Sequence, residues 1–369
     1  MPNRNISKTN KVIKIFLGSA CNFQCKYCVQ TKIAQEVHTQ QDFSKIKKFL
    51  IDEQPDRVLL WGGEPLLFWE TFKAIAEFVA ENCPKADIIT ITNGSLLTMD
   101  KVEFINKYNI GIGLSNDGRH TIKTRNKNVL EDMHILDCFL GIKHKGICTV
   151  LTPLNFDIYK DIWGYFDEVL MGERVNVNID PVKNCTGLDM FIPSDSDMEV
   201  LKKSVHIMGD KFVESIQKGD YNSREYIFFE RIISHIKRGI FDREDLSPRL
   251  LCGHGHNIMT IDLQGNIFTC NNSGIIVGTV ADKDKANAEI NKRVIPDKKC
   301  MECPYLNICI PGTCTLITKD EREQECRIRK VFYKELISRL FQLGANGILD
   351  ATAPKQANLD REMCLYSMT

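Results

Sequence analysis

Residues 11–30 read KVIKIFLGSACNFQCKYCVQ. Val12 to Leu17 is a short apolar run that reads as a strand, and it leads directly into three cysteines spaced CxxxCxxC: Cys21, Cys25 and Cys28. The chain around them has 369 residues, enough for two to three domains and too many to need disulfide staples for a core. Lys plus Arg balance Asp plus Glu at 48 each, so no basic field points to nucleic acid or to an anionic membrane surface. The longest apolar runs are short and broken by charges, and Met1 to Asn10 is polar, so the expected location is the cytoplasm. A reducing cytosol disfavours disulfides, and the 15 cysteines therefore suggest metal.

Outward from this stretch, strand-like and helix-like segments alternate to about residue 180. Strands are expected at Val12–Leu17, Arg57–Trp61, Ala86–Thr92, Ile110–Leu114, Ile147–Leu151 and Val175–Ile179. Helical spacing occurs at Phe43–Ile51, Trp69–Val79 and Lys101–Tyr108, through Cys138 and around Trp163. Six strands alternating with helices imply an α/β fold with a parallel sheet and right-handed crossovers, open or closed into a barrel. Such folds gather ligands at the carboxyl ends of the strands. The polar, Gly-rich punctuation falls there: CNFQC from Cys21, Gly62-Gly63-Glu64-Pro65, Thr92-Asn93-Gly94 and Ser115-Asn116-Asp117-Gly118.

Beyond this region, Asp195–Lys218 and Arg224–Lys237 read as amphipathic helices. A new unit begins at Cys252, where Asn257–Asp262 and Ile267–Thr269 flank Leu263-Gln264-Gly265-Asn266 as a hairpin. A helix from Arg327 to Leu343 follows, then a weakly ordered tail after Gly344. The expected organisation is 1–181 as the α/β unit, 182–250 as a helical bridge, 251–330 as a cysteine-rich unit and 331–369 as a terminal helix and tail.

The thiols cluster. Besides the first triplet, Cys252, Cys270, Cys300, Cys303, Cys309, Cys314 and Cys326 crowd the last third, whereas Cys83, Cys138, Cys148, Cys185 and Cys364 read as small hydrophobes. An iron–sulfur cube normally takes four thiolates and structural zinc four ligands. A loop offering three leaves one metal position open to something else.

At these residues the chain resembles the radical S-adenosylmethionine (SAM) enzymes, whose signature loop is CxxxCxxC. The resemblance implies a partial (β/α)6 barrel in which Cys21, Cys25 and Cys28 hold a [4Fe-4S] cluster and SAM chelates the fourth iron. Reductive cleavage would then give methionine and a 5′-deoxyadenosyl radical that removes a hydrogen atom from the substrate. Tyr27 matches the family's aromatic before the last cysteine. Gly62, Gly63, Glu64 and Pro65 match the motif assigned to the SAM amino group, and Ser115 and Asp117 resemble the residues that meet its carboxylate and ribose; helix capping is the other use of that pair. Acceptors at Glu64 and the neighbouring carbonyls suit an ammonium, and the two glycines suit close backbone approach to the ligand.

The C-terminal spacing, Cys252-x12-Gly265-x4-Cys270, then Cys300-x2-Cys303-x5-Cys309-x4-Cys314, then Cys326, resembles the SPASM extension of the same superfamily. That implies two auxiliary [4Fe-4S] clusters, one held by Cys300, Cys303, Cys309 and Cys326, the other by Cys252, Cys270 and Cys314. With the first site, three clusters and SAM are expected. Four residues precede Cys314 where the family has three. No eighth cysteine lies near Cys252, which leaves an open iron or a ligand such as His254, His256 or Cys185.

The resemblance implies a peptide or protein maturase that cross-links or oxidises its substrate, supplied with electrons by a flavodoxin or ferredoxin. The sulfatase-maturating (formylglycine-forming) enzymes are a second reading, since length and motif order resemble theirs. Those enzymes carry an aspartate base directly after the second hairpin cysteine, where this chain has Asn271, and an amide does not accept a proton as a carboxylate does. Asp180 and Asp262 are the carboxylates considered in its place, and the catalytic acid or base is left unassigned. Twenty residues precede Cys21, too few for an N-terminal leader-binding domain, so a separate leader-binding protein is a candidate partner. A radical SAM dehydrogenase of a small molecule, or a tetrapyrrole-modifying member, and, from another class, a zinc-stabilised binding protein are the remaining alternatives.

Overall fold

The structure, a computed structural model, describes residues 11–32, 42–183, 187–240, 253–293, 298–309 and 319–352. The expected alternation is present: β1 (Val12–Phe16), α1 (Ser44–Glu53), β2 (Arg57–Trp61), α2 (Trp69–Asn82), β3 (Asp87–Thr92), α3 (Met99–Lys107) and β4 (Gly111–Ser115). There follow α4 (Thr121–Arg125), α5 (Met133–Leu140), β5 (Lys145–Leu151), a π-turn (Ile158–Trp163) running into α6 (Gly164–Val169), and β6 (Asn176–Pro181). These six strands pair in chain order, all parallel.

Both faces of this sheet are covered, which is why β1 and β2 are buried along their whole length. Ile13, Ile15, Val58 and Leu60 face the helices, and Phe16, Leu59, Trp61 and Ile89 form a separate apolar cluster on the other face. Parallel pairing in strand order sets every strand's carboxyl end at one rim, so the Cys21–Cys28 loop, GGEP and SNDG come together there although up to 97 positions separate them.

The hairpin forms as β7 (Ile258–Asp262) and β8 (Asn266–Phe268), with Gly265 at φ +82° in the turn. Asp262 braces that turn by accepting from the backbone N–H of Gln264 and of Asn266, each at 2.9 Å. β7 also lies parallel to β1, from Val12 opposite Ile258 to Phe16 opposite Asp262, and β9 (Ile276–Thr279) completes a nine-stranded sheet.

α7 (Asp195–Lys218) matches its expected limits because both signals are local. Ser194 and Asp197 close a capping box, and Gly219 takes φ +66° at the other end. α8 (Arg224–Ile240), α9 (Lys283–Arg293) and the short α10 (Lys298–Met301) precede α11 (Lys319–Thr352). Residues 345–352 depart from the expected weakly ordered tail, whose remainder, 353–369, lies outside the described residues. Gly344 leaves helical geometry (φ 68°, ψ −174°), but the helix resumes to Thr352, where buried Tyr226 donates its hydroxyl hydrogen bond to the Ala351 carbonyl at 3.2 Å. Among the described residues, no helix is long and apolar enough to cross a membrane.

Candidate functional site

The cysteine loop rides on GGEP. Gly63 N–H donates to the Gly18 carbonyl and Glu64 N–H to the Ala20 carbonyl, both at 2.9 Å. A Cβ on Gly62 would stand 2.4 Å from the Gly18 oxygen, and one on Gly63 2.4 Å from both the Ser19 and Ala20 oxygens. The glycines thus admit the backbone of the cysteine loop itself, where the sequence suggested a ligand's approach. Glu64, expected to meet an ammonium, is buried and turned inward. It accepts from Leu66 N–H (3.0 Å), the Thr92 hydroxyl (2.6 Å) and Asn93 N–H (2.7 Å), tying the end of β2 to the end of β3. Burial pushes its acid up, against these three bonds.

Asp117 differs from both expected uses. It is fully buried, its side chain caps no helix, and five donors occupy its two oxygens. Arg125 grips it with Nε (3.1 Å) and Nη2 (3.1 Å), Tyr27 and Thr124 donate their hydroxyls at 2.6 Å, and Val150 N–H donates from β5 at 3.0 Å. The carboxylate is therefore committed to a buried ion pair that binds the cysteine loop to β4 and β5. Ser115, its expected partner, ends β4 opposite Cys148. Gly118 (φ +78°) lets the π-turn close over this corner, since a Cβ there would stand 2.1 Å from the Asp161 carbonyl oxygen.

Nothing in the sequence distinguishes Arg125 from the neighbouring Lys123 and Lys127, whose charges read as solvated, except its position eight residues after Asp117, two helical turns on. The guanidinium stacks on Tyr27 at 5.4 Å from the ring centroid, and Nη1 reaches Cys25 Sγ at 3.9 Å. Burial works against its charge, but Asp117, Tyr27 and Cys25 outweigh burial and hold it above its ordinary range.

The three thiols stand within electrostatic reach of one another. Burial pushes Cys25 up to about 11, Arg125 opposing and Cys28 and Cys21 adding to the rise. Cys21 is raised by burial, then by Glu64 and Cys28. Asn93 Nδ2 lies 4.0 Å from Cys21 Sγ.

A second thiol group gathers at the start of α11. Cys326 is pushed up to about 11 by burial and then by Cys309 and Cys300, so these three are neighbours, and Cys303 N–H donates to the Cys300 carbonyl at 3.0 Å. Tyr333 hydrogen-bonds Cys309, and the half-buried Arg329 lies between Glu325 Oε1 (2.8 Å) and Asp180 Oδ1 (3.9 Å). Cys270 accepts from Asn272 N–H at 3.3 Å. His254 is buried and shares a hydrogen bond with Thr260, whereas His256 is exposed. Cys252, Cys314 and Cys185 lie outside the described residues. Among the described residues no cysteine is joined in a disulfide.

Among the described residues no three His, Cys, Asp or Glu side chains converge on one metal-ion position. A four-iron cube, which takes one thiolate at each corner, asks for a wider set. Three mutually coupled thiols beside a buried cation, and three more beside Tyr333 and Arg329, fit such a group by their donor chemistry.

Residues 15–134 match the radical SAM superfamily model. Radical SAM cyclopropyl synthase TigE of Paramaledivibacter caminithermalis is 22% identical over 344 residues, 82% of this chain and 67% of its own length. GTP 3′,8-cyclase of Campylobacter lari is 25% identical over 33% of this chain and 40% of its own. Among solved structures, AdoMet-bound anSMEcpe superposes with TM-score 0.68 at 15% identity, covering 93% of this chain and 98% of its own. Streptococcus suis SuiB bound to precursor peptide SuiA gives 0.56 at 15% identity, over 82% and 71%. The parallel sheet, the cysteine loop at its carboxyl rim and the family match agree on one stretch: residues 15–134 are a radical SAM domain.

Proposed function

We propose that this chain is a radical SAM maturase that abstracts a hydrogen atom from a peptide or protein substrate, leading to cross-linking or oxidation. The observation that carries the reading is the CxxxCxxC set Cys21, Cys25 and Cys28 in the loop that leaves β1 at the carboxyl rim of a parallel sheet. These three would hold a four-iron cluster, with SAM on the open iron. Bound there, cluster and SAM supply hydrogen-atom abstraction. The protein's part is to hold the loop still: Gly62 and Gly63 seat its backbone, Glu64 clamps two strand ends beneath it, and Asp117 fixes Tyr27 and Arg125 beside it. Ser115, at the end of β4, is the residue proposed to meet the SAM carboxylate.

Cys300, Cys303, Cys309 and Cys326 are proposed to hold one auxiliary cluster, and Cys252, Cys270 and Cys314 three corners of another. A peptide substrate is supported by the relatives crystallised with peptides, anSMEcpe and SuiB. A flavodoxin or ferredoxin donor and a separate leader-binding protein follow from the same family reading.

Formylglycine formation is the second reading, supported by the superposition on anSMEcpe and opposed by one contact. Lys14, fully buried in β1, donates from Nζ to Asn271 Oδ1 at 3.0 Å, so the position of the expected base is a neutral amide facing a cation. Asp262 does not replace it, being spent on its hairpin turn, and Asp180 accepts from Asn178 Nδ2 at 3.0 Å and faces Arg329.

Anaerobic purification with iron and sulfide analysis tests the proposal, with about 12 iron per chain expected for three four-iron clusters. Dithionite-driven release of 5′-deoxyadenosine is expected in the native chain and lost in Cys25→Ala. A colourless protein with stoichiometric zinc would overturn the reading. Mass spectrometry of small peptides co-expressed with the chain identifies the bond formed.

A further inference from the structure

We propose that Arg125 is a positioning residue that raises the reduction potential of the cluster held by Cys21, Cys25 and Cys28, with Asp117 as its partial counterweight and Tyr27 as its clamp. This rests on the reading of those thiols as cluster ligands.

The arrangement is directional. Asp117 takes two of the guanidinium's donors, Nε and Nη2, which turns Nη1 toward Cys25 Sγ at 3.9 Å. The positive end of the pair therefore faces the sulfur and the negative end lies behind it. Tyr27 holds the orientation twice, its hydroxyl on Asp117 Oδ2 at 2.6 Å and its ring beneath the guanidinium. Only an arginine can do this, because a planar fork serves a carboxylate with one edge and keeps a donor free for another direction, whereas an ammonium is a single point.

A purely structural ion pair would need no such orientation, and burying both ions is itself no gain in stability. A fixed positive charge about 4 Å from a ligand sulfur acts strongly in a buried setting. Charge, hydrogen bonds to sulfur and solvent exposure are the protein's levers on cluster potential. A positive charge favours the reduced, more negative state, and so lowers the demand on the electron donor. The same residue types recur at the second thiol group, where Arg329 and Tyr333 stand by Cys309 and Glu325 pairs with Arg329.

The test is a potentiometric titration, followed by electron paramagnetic resonance, of the reconstituted full chain. The signal read is the one that changes on adding SAM. Arg125→Gln should move its midpoint to more negative potential, and Arg125→Lys should do so by less. Asp117→Asn removes the opposing charge and should move it to more positive potential. Opposite signs for Arg125→Gln and Asp117→Asn are the required result, since damage to the fold alone would lower iron occupancy without separating the signs. Equal midpoints, or shifts of one sign, overturn the proposal. Where Arg125→Gln holds no iron, Arg125→Lys against Asp117→Asn decides by the same criterion. Cys25→Ala is the separate control: it should lose the SAM-sensitive signal and about four iron per chain. If Cys25→Ala keeps both, the cluster assignment fails, whereas loss there without shifts in the Arg125 variants refutes the tuning alone.

Discussion

Replacing Gly63 with alanine puts a methyl group into the seam between GGEP and the cysteine loop. Its Cβ would meet the Ser19 and Ala20 oxygens at 2.4 Å, whereas ordinary contact begins near 3.4 Å, so the two backbone segments must part by about 1 Å. That movement stretches the Gly63–Gly18 and Glu64–Ala20 hydrogen bonds from 2.9 Å to about 3.9 Å, beyond useful length. Each is worth about 1 kcal/mol, and forced overpacking adds about 1–3 kcal/mol. The expected loss is therefore about 3–5 kcal/mol, a large share of a domain's stability of about 5–15 kcal/mol. Urea unfolding of the iron-free chain, with iron content after reconstitution, measures it. Gly172→Ala is the control, because its Cβ meets nothing within 4 Å and only its φ of +82° resists, at about 1–2 kcal/mol. A Gly63→Ala protein within about 1 kcal/mol of native and loaded with iron would refute the claim that these glycines seat the loop.

Cys25 gives a pH dependence. Burial lifts its thiol from 9.0 to about 11, so folding favours the protonated form; that contribution is whole below pH 9 and is lost as pH rises through 11, roughly 3 kcal/mol in all. Alkylation of the iron-free folded chain at Cys25 should stay slow at pH 8, and rapid modification there would contradict the burial. Arg329→Ala leaves the buried Glu325 and the nearby Asp180 without their shared cation and should cost about 3–5 kcal/mol in chemical unfolding; a loss under 1 kcal/mol would show the pair to be solvated. The native chain should leave a sulfatase-motif peptide without formylglycine, and Asn271→Asp, which sets a carboxylate against Lys14, should introduce it. Formylglycine made by the native chain, seen as loss of two hydrogens from Ser, would reverse the order of the two functional readings.

The strands of the parallel sheet and the limits of α7 were legible because their signals are local. Apolar runs, the Ser194–Asp197 box and Gly219 each act within a few residues. The rim was legible too, because parallel pairing sends every strand's carboxyl end to one side. The roles of Glu64 and Asp117 were not. Both read as acceptors for a bound molecule, and both have their oxygens occupied by donors from distant parts of the chain. The extension of the sheet by β7 was equally hidden, since no local pattern says which edge a strand will join.

Cysteine spacing, strand alternation and turn chemistry were thus set by neighbours along the chain, and they suffice for the radical SAM domain of residues 15–134 and for where its loop must lie. The direction of each buried charge was settled by the folded packing alone. Tyr27 and Asp117 are 90 positions apart and Lys14 and Asn271 are 257 apart, and a charge taken out of water must be answered by whatever the fold brings within hydrogen-bonding distance.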